Sequence, residues 1–110
     1  MTSSLDTDIH RIGTSADFPD DTPRRVDIAD RRLCVIRHEG QLHALDDLCT
    51  HGQAFLSEGE FVPEECAMEC PLHGGLFDIR TGDACGAPAS KPVRRYQTVI
   101  RDGEAYDKLD

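Results

Sequence analysis

Apolar positions along this chain come in short runs broken by glycine, proline and paired charges, and nowhere do they repeat over a helix of normal length. Arg31 to His38 (RRLCVIRH) holds four contiguous apolar residues, Leu33 to Ile36, which predicts a strand partly covered on both faces. Gln41 to Leu45 (QLHAL) alternates, and the Glu39-Gly40 turn between the two makes a hairpin that delivers the chain to Cys49. Upstream, Ile9 to Ile12 reads as a short strand and Arg24 to Ile28 as an edge strand. Between them Thr14 to Pro23 is a polar loop in which Ser15 caps a single helical turn; residues 1–7 fray. Downstream, Ser57 to Glu60 is a turn, while Glu65 to Glu69 and Gly75 to Ile79 are strands. Arg80 to Asp83 is a tight turn, and Gly86 to Ala89 a rigid loop. Val93 to Arg101 is the clearest long strand; Asp102-Gly103 turns it back into Ala105 to Leu109. Many short strands with glycine-rich turns predict an all-β, antiparallel sandwich, with residues 1–110 as a single domain.

Composition narrows the class. A chain of 110 residues, 38% hydrophobic and without Trp, builds a modest core that benefits from a cofactor tying its loops together. The net charge of −9, from 12 basic and 21 acidic residues, argues against nucleic acid or an anionic membrane as partner and permits a basic protein. Met1 to Gly13 has no apolar segment of a signal peptide, and no run is long enough to span a bilayer, so a cytoplasmic location is expected. Five cysteines, an odd number without secreted-scaffold spacing, point to ligands rather than a disulfide framework.

The candidate chemistry lies in two knuckles, Cys49-Thr50-His51-Gly52 and Cys70-Pro71-Leu72-His73-Gly74, with 18 residues, 52–69, between His51 and Cys70. Each offers one thiolate and one imidazole, good ligands for a transition metal. Two Cys and two His suit a two-iron, two-sulfur cluster in which neutral imidazoles replace two thiolates on one iron and raise the potential. They also suit a structural zinc ion. Common zinc fingers, however, pair like with like and carry the His pair on a helix, whereas here each knuckle mixes the types. A catalytic Cys–His pair leaves the second knuckle unexplained. Gly52, Gly74 and Gly75 allow tight turns whose N–H groups can face a cluster, and Pro71 stiffens the second loop.

CTHG, CPLHGGLFDIRTG, GAPA and the late strand YQTVIRDGE together resemble Rieske-type [2Fe-2S] ferredoxins, from about Ile9 to the C-terminus. That family carries electrons for bacterial ring-hydroxylating dioxygenases, and has an antiparallel β-sandwich fold with a small cluster-binding subdomain. The resemblance implies that Cys49 and Cys70 hold one iron and His51 and His73 the other. It places the subdomain at roughly residues 47–78, a proline loop at Gly86 to Pro88, and an extra bulge at Pro63-Glu64-Glu65. Ala54 and Leu72 stand where high-potential relatives carry a disulfide, and Gly75 and Phe77 where they carry hydrogen-bonding Ser and Tyr. The potential implied is near the low end of the Rieske range, about −150 mV.

The implied partners are a flavin-containing ferredoxin reductase and a terminal oxygenase, docking near His51, Leu72, His73 and Pro88 with Phe55 at the margin; Asp46 and Asp47 add charge for a basic partner. The carrier is expected to be a monomer and not itself an enzyme, since His10, His38 and His43 with no further domain cannot build a mononuclear iron site. The alternatives are the small subunit of a nitrite reductase-type complex and a zinc-stabilised interaction module. Cys34 and Cys66 read as core residues, Cys85 as exposed beside the proline loop, and the other histidines as surface or satisfied.

Overall fold

The β3–β4 hairpin is the wall on which everything else is hung. In this computed structural model, which describes residues 9–50, 53–72, 74–87 and 89–108, β3 (Arg31–His38) pairs antiparallel with β4 (Gln41–Asp46), from Leu33↔Asp46 to His38↔Gln41. Glu39 and Gly40 both take positive φ, 52° and 82°, the turn whose twist matches the flanking strands. Leu33 and Val35, with Leu42 and Ala44, face one core; Cys34 and Ile36, with Leu45, face another. That division explains the contiguous LCVI run: both faces of the strand are buried.

The first core belongs to a six-stranded sheet in the order β1 (Ile9–Thr14), β10 (Glu104–Lys108), β9 (Arg95–Arg101), β4, β3, β2 (Arg24–Ile28). β4 and β9 pair only at Ala44↔Tyr96 and Leu45↔Arg95, so the sheet bends there. Its two edge strands then meet the same core: Ile12 from β1 and Val26 and Ile28 from β2 pack against Phe18, Leu33, Val35, Leu42, Ala44, Tyr96 and Ala105. This is the antiparallel sandwich that the strand pattern predicts.

The second core lies under a four-stranded sheet, β5 (Glu60–Val62), β6 (Ala67–Glu69), β7 (Leu76–Asp78) and β8 (Ala84–Gly86), paired in that order. All strand pairings are antiparallel, and no α-helix occurs among the described residues, only three single 3-10 turns.

Several local expectations shift. The helical turn at Ser15–Asp17 is capped by Thr14, whose N–H donates to Asp17 (2.9 Å), and Arg37 pins it by donating to the carbonyls of Ser15 and Phe18, each at 2.7 Å. The turn expected at Ser57 to Glu60 is a 3-10 turn, Leu56–Glu58, running into β5. Glu65 and Cys66 leave the expected strand: Pro63–Glu65 forms a 3-10 turn at the anticipated bulge, and Cys66 closes it with φ of 52°. Val93 is not part of β9, because its N–H bonds the Gly82 carbonyl (2.9 Å) and its side chain fills the second core.

Candidate metal centre

A single bridge joins the two arms of the first knuckle. Leu48 bridges to Phe55, and the Cys49 N–H donates to the Ala54 carbonyl (2.8 Å). The Thr50 hydroxyl ties the tip to the Lys91 carbonyl (2.7 Å). At its base, Asp47 accepts from the Ser57 N–H (2.6 Å), the Ser57 hydroxyl (2.8 Å) and Arg32 Nε (2.5 Å).

The second knuckle prolongs the β6–β7 ladder. Beyond the Glu69↔Leu76 pair, the Cys70 N–H donates to the Gly75 carbonyl (2.7 Å), and Gly74 turns the loop with φ of 74°. Gly59 brings the two knuckles together: a Cβ there would lie 1.9 Å from the Glu69 carbonyl oxygen and 3.1 Å from the Pro71 ring. Cys49 and Cys70, 2% and 1% exposed, meet in one core with Ala54, Leu56, Met68, Phe77 and Ala89.

His51, Gly52, His73 and Pro88 lie outside the described residues. Among the described residues, the structure thus brings together the two sulfur donors of the expected set. Both are buried, neither is engaged in a disulfide, and each sits at the mouth of a loop on which the sequence places an imidazole. This donor set fits a cluster held by two thiolates and two imidazoles. Leu48 and Leu72, 53% and 40% exposed, flank the knuckles as apolar surface.

Other site residues fall differently. The acidic pair before the first knuckle is not a solvated face: Asp47 is fully buried against Arg32, and Asp46 accepts from the Tyr96 hydroxyl (2.6 Å). Phe55 carries the Arg32 guanidinium 3.5 Å above its ring. Cys34 is core, and burial pushes its thiol well above the usual range. Cys66 is half-buried and Cys85 exposed; partial desolvation raises both thiols, so neither is primed as a nucleophile. His38 bonds Asp21 (2.7 Å). His43 departs from the expectation: it is buried with Nδ1 lacking a partner among the described residues, and burial, then Arg95, lowers its pKa.

Charge is partitioned along the chain in a way the net value hides. Between Arg37 and Arg80 there is no Lys or Arg, while Glu39, Asp46, Asp47, Glu58, Glu60, Glu64, Glu65, Glu69 and Asp78 all fall there. Glu58, Glu60, Glu64 and Glu65 are exposed. The segment bearing both knuckles is therefore the acidic part of the molecule.

This arrangement is what a Rieske domain requires, and the comparisons agree: a family model for the Rieske [2Fe-2S] domain matches residues 8–97. The chain belongs to that family, and its cofactor is a [2Fe-2S] cluster. It is 42% identical over 104 residues to the anthranilate 1,2-dioxygenase ferredoxin subunit of Burkholderia cepacia, covering 94% of each chain. Among solved structures it resembles the ferredoxin of carbazole 1,9a-dioxygenase from Nocardioides aromaticivorans IC177, with a TM-score of 0.89 at 32% identity over 93% of this chain and 98% of that one. It also matches a chain in the complex of reduced oxygenase and oxidized ferredoxin in carbazole 1,9a-dioxygenase, with a TM-score of 0.85 at 33% identity over 92% and 93%. These relatives favour neither a zinc module nor a nitrite reductase subunit.

Proposed function

We propose that this chain is the ferredoxin component of a ring-hydroxylating oxygenase system, taking one electron from a flavin-containing reductase and handing it to the terminal oxygenase. Cys49 and Cys70 would bind one iron through Sγ, and His51 and His73 the other. The observation that carries this is the convergence of two buried thiols from two loops in one core. The cluster, when bound, supplies one-electron redox chemistry near the low end of the Rieske range. The protein's residues do the rest. Leu56, Met68, Phe77 and Ala89 exclude water from the inner side, and Gly75 and Phe77 offer no side-chain hydroxyl to stabilise the reduced state. Residues 1–110 form one domain with residues 47–78 as its cluster-binding part.

Docking belongs at the knuckle end. Leu48 and Leu72 give it exposed apolar surface, His51, His73 and Pro88 are the expected remaining members of the docking face, and the acidic knuckle-bearing segment suits a short-lived complex with a basic redox partner. The carrier works as a monomer in the cytoplasm in this reading; no helix among the described residues is long and apolar enough to cross a membrane.

The deciding experiment is a redox titration of the purified protein, followed by visible absorption and electron paramagnetic resonance. A rhombic reduced-state signal and a low midpoint are expected, both lost in Cys49→Ser and Cys70→Ser. A colourless protein that gains no cluster on reconstitution overturns the reading. Leu72→Glu should slow electron delivery to the oxygenase about 10-fold while leaving the spectrum unchanged. An unaltered rate removes the docking face.

A further inference from the structure

Asp47 is a charged residue with no accessible surface, two positions before Cys49. Burying a carboxylate costs several kcal/mol unless it is paired and hydrogen-bonded. Here every available partner is supplied: besides the three side-chain bonds described above, its own N–H donates to the Arg32 carbonyl (2.9 Å) and its carbonyl accepts from Leu56 (2.7 Å). Arg32 in turn reaches both arms of the first knuckle. It holds Asp47 on the entering arm, covers Phe55 on the leaving arm, and extends to Glu58 (3.5 Å) beyond it, all from β3 of the large sheet.

We infer that Arg32 and Asp47 are the positioning pair of the first cluster-binding loop, fixing where the Cys49 thiolate sits and setting the charge balance around it. This rests on Cys49 being an iron ligand, as proposed above. Two observations support it. Asp47 lies two residues before Cys49 and bonds Leu56 and Ser57 on the leaving arm as well as Arg32 on β3, so it fixes both arms of the loop against the large sheet and thereby the place of Cys49. Arg32 also brings a cation, from outside, into a stretch of chain that has none of its own. Removing Arg32 leaves Asp47 as a buried charge without its counter-ion, whereas removing the Asp47 charge leaves Arg32 with the exposed Glu58, so the two removals shift the local charge in opposite directions.

The test uses the cluster-loaded protein and compares wild type with Asp47→Asn, Arg32→Gln and, as a control of equal charge change, Arg11→Gln on β1, from the exposed Arg11–Glu104 pair. Asp47→Asn should raise the midpoint potential and Arg32→Gln lower it, with the control unchanged. Both pair variants should release iron to a chelator about 10-fold faster or more. Wild-type potentials and release rates in both, with only the melting temperature lowered, overturn the inference and leave a structural ion pair. Should neither variant retain a cluster, Arg32→Lys keeps the charge but not the planar cover on Phe55. It should hold a cluster of wild-type potential that releases iron several-fold faster, and a wild-type release rate there also overturns the inference. A wild-type signal that survives in Cys49→Ser marks failure of the ligand reading instead; a signal lost in Cys49→Ser but unmoved in the pair variants marks failure of this inference alone.

Discussion

The two knuckles are built on different foundations. The second is the tip of a regular hairpin: three β6–β7 pairs lead up to it, Met68 and Phe77 fill the core beneath, and the ladder itself sets where Cys70 sits. The first has no such ladder. The chain leaves β4 at Asp46 and goes on to the other sheet, with one bridge, Leu48 to Phe55, to close the loop. Its anchor is polar and comes from side chains, with Asp47 and Arg32 standing in for the missing strand pairs. A loop that ends its own hairpin needs only backbone bonds; one that passes between sheets needs a buried polar contact to give it a unique position.

The largest effect should come from the place where the two foundations touch. At Gly59 an added Cβ collides with the backbone carbonyl of Glu69, which cannot swing aside as a flexible side chain would. Gly59→Ala should therefore push the knuckles apart and abolish cluster assembly, read as loss of visible absorption and a lower melting temperature of the apo protein. A variant that loads normally would show that the knuckles do not depend on this contact. Next in size, Phe77→Ala should cost about 3–5 kcal/mol by denaturant unfolding, because it empties the core under the second knuckle. If the foundations differ as described, its cluster should be lost through the β6–β7 side while the Arg32–Asp47 bonds persist. Proteolysis that cuts first near residues 47–57 would break the distinction.

Much of this was legible in the residues. The LCVI run announces a strand buried on both faces, and the two C/H knuckles single out Cys49 and Cys70, which the structure buries in one core. What could not be read is short or depends on distant partners. β5 and β8 are three residues each, and EFV and ACG become strands only because β6 and β7 lie between them. Asp46-Asp47 looks like solvated charge, yet Asp47 is buried by an arginine 15 residues upstream. The signal was in the register: Leu33 opposite Asp46 sets Arg32 beside Asp47, and a basic residue facing an acid just before a ligand loop is worth checking wherever a hairpin can be aligned.

Asp107 sharpens the contrast by being Asp47 without company. It is 1% exposed on β10 of the six-stranded sheet, and neither carboxyl oxygen has a hydrogen-bond partner among the described residues. Burial pushes its pKa from the ordinary 3.8 to about 7, with Arg31 pulling part of the way back. The sign follows from which form the fold prefers. An acid whose pKa is raised on folding takes up a proton as the chain folds between these two values, so its contribution to stability is greatest at low pH. That contribution falls as pH rises from about 4 to about 7 and is level above. Asp107→Asn, which cannot ionise, should lose this slope. Near pH 4 it should melt close to wild type, and at pH 8 a few degrees above it, with the midpoint potential unchanged at both. An identical pH dependence in the two proteins would mean that the carboxyl finds a partner in solution. A moved potential would mean that Asp107 is coupled to the cluster, and the division between a polar anchor that serves the site and a buried acid that does not would fall.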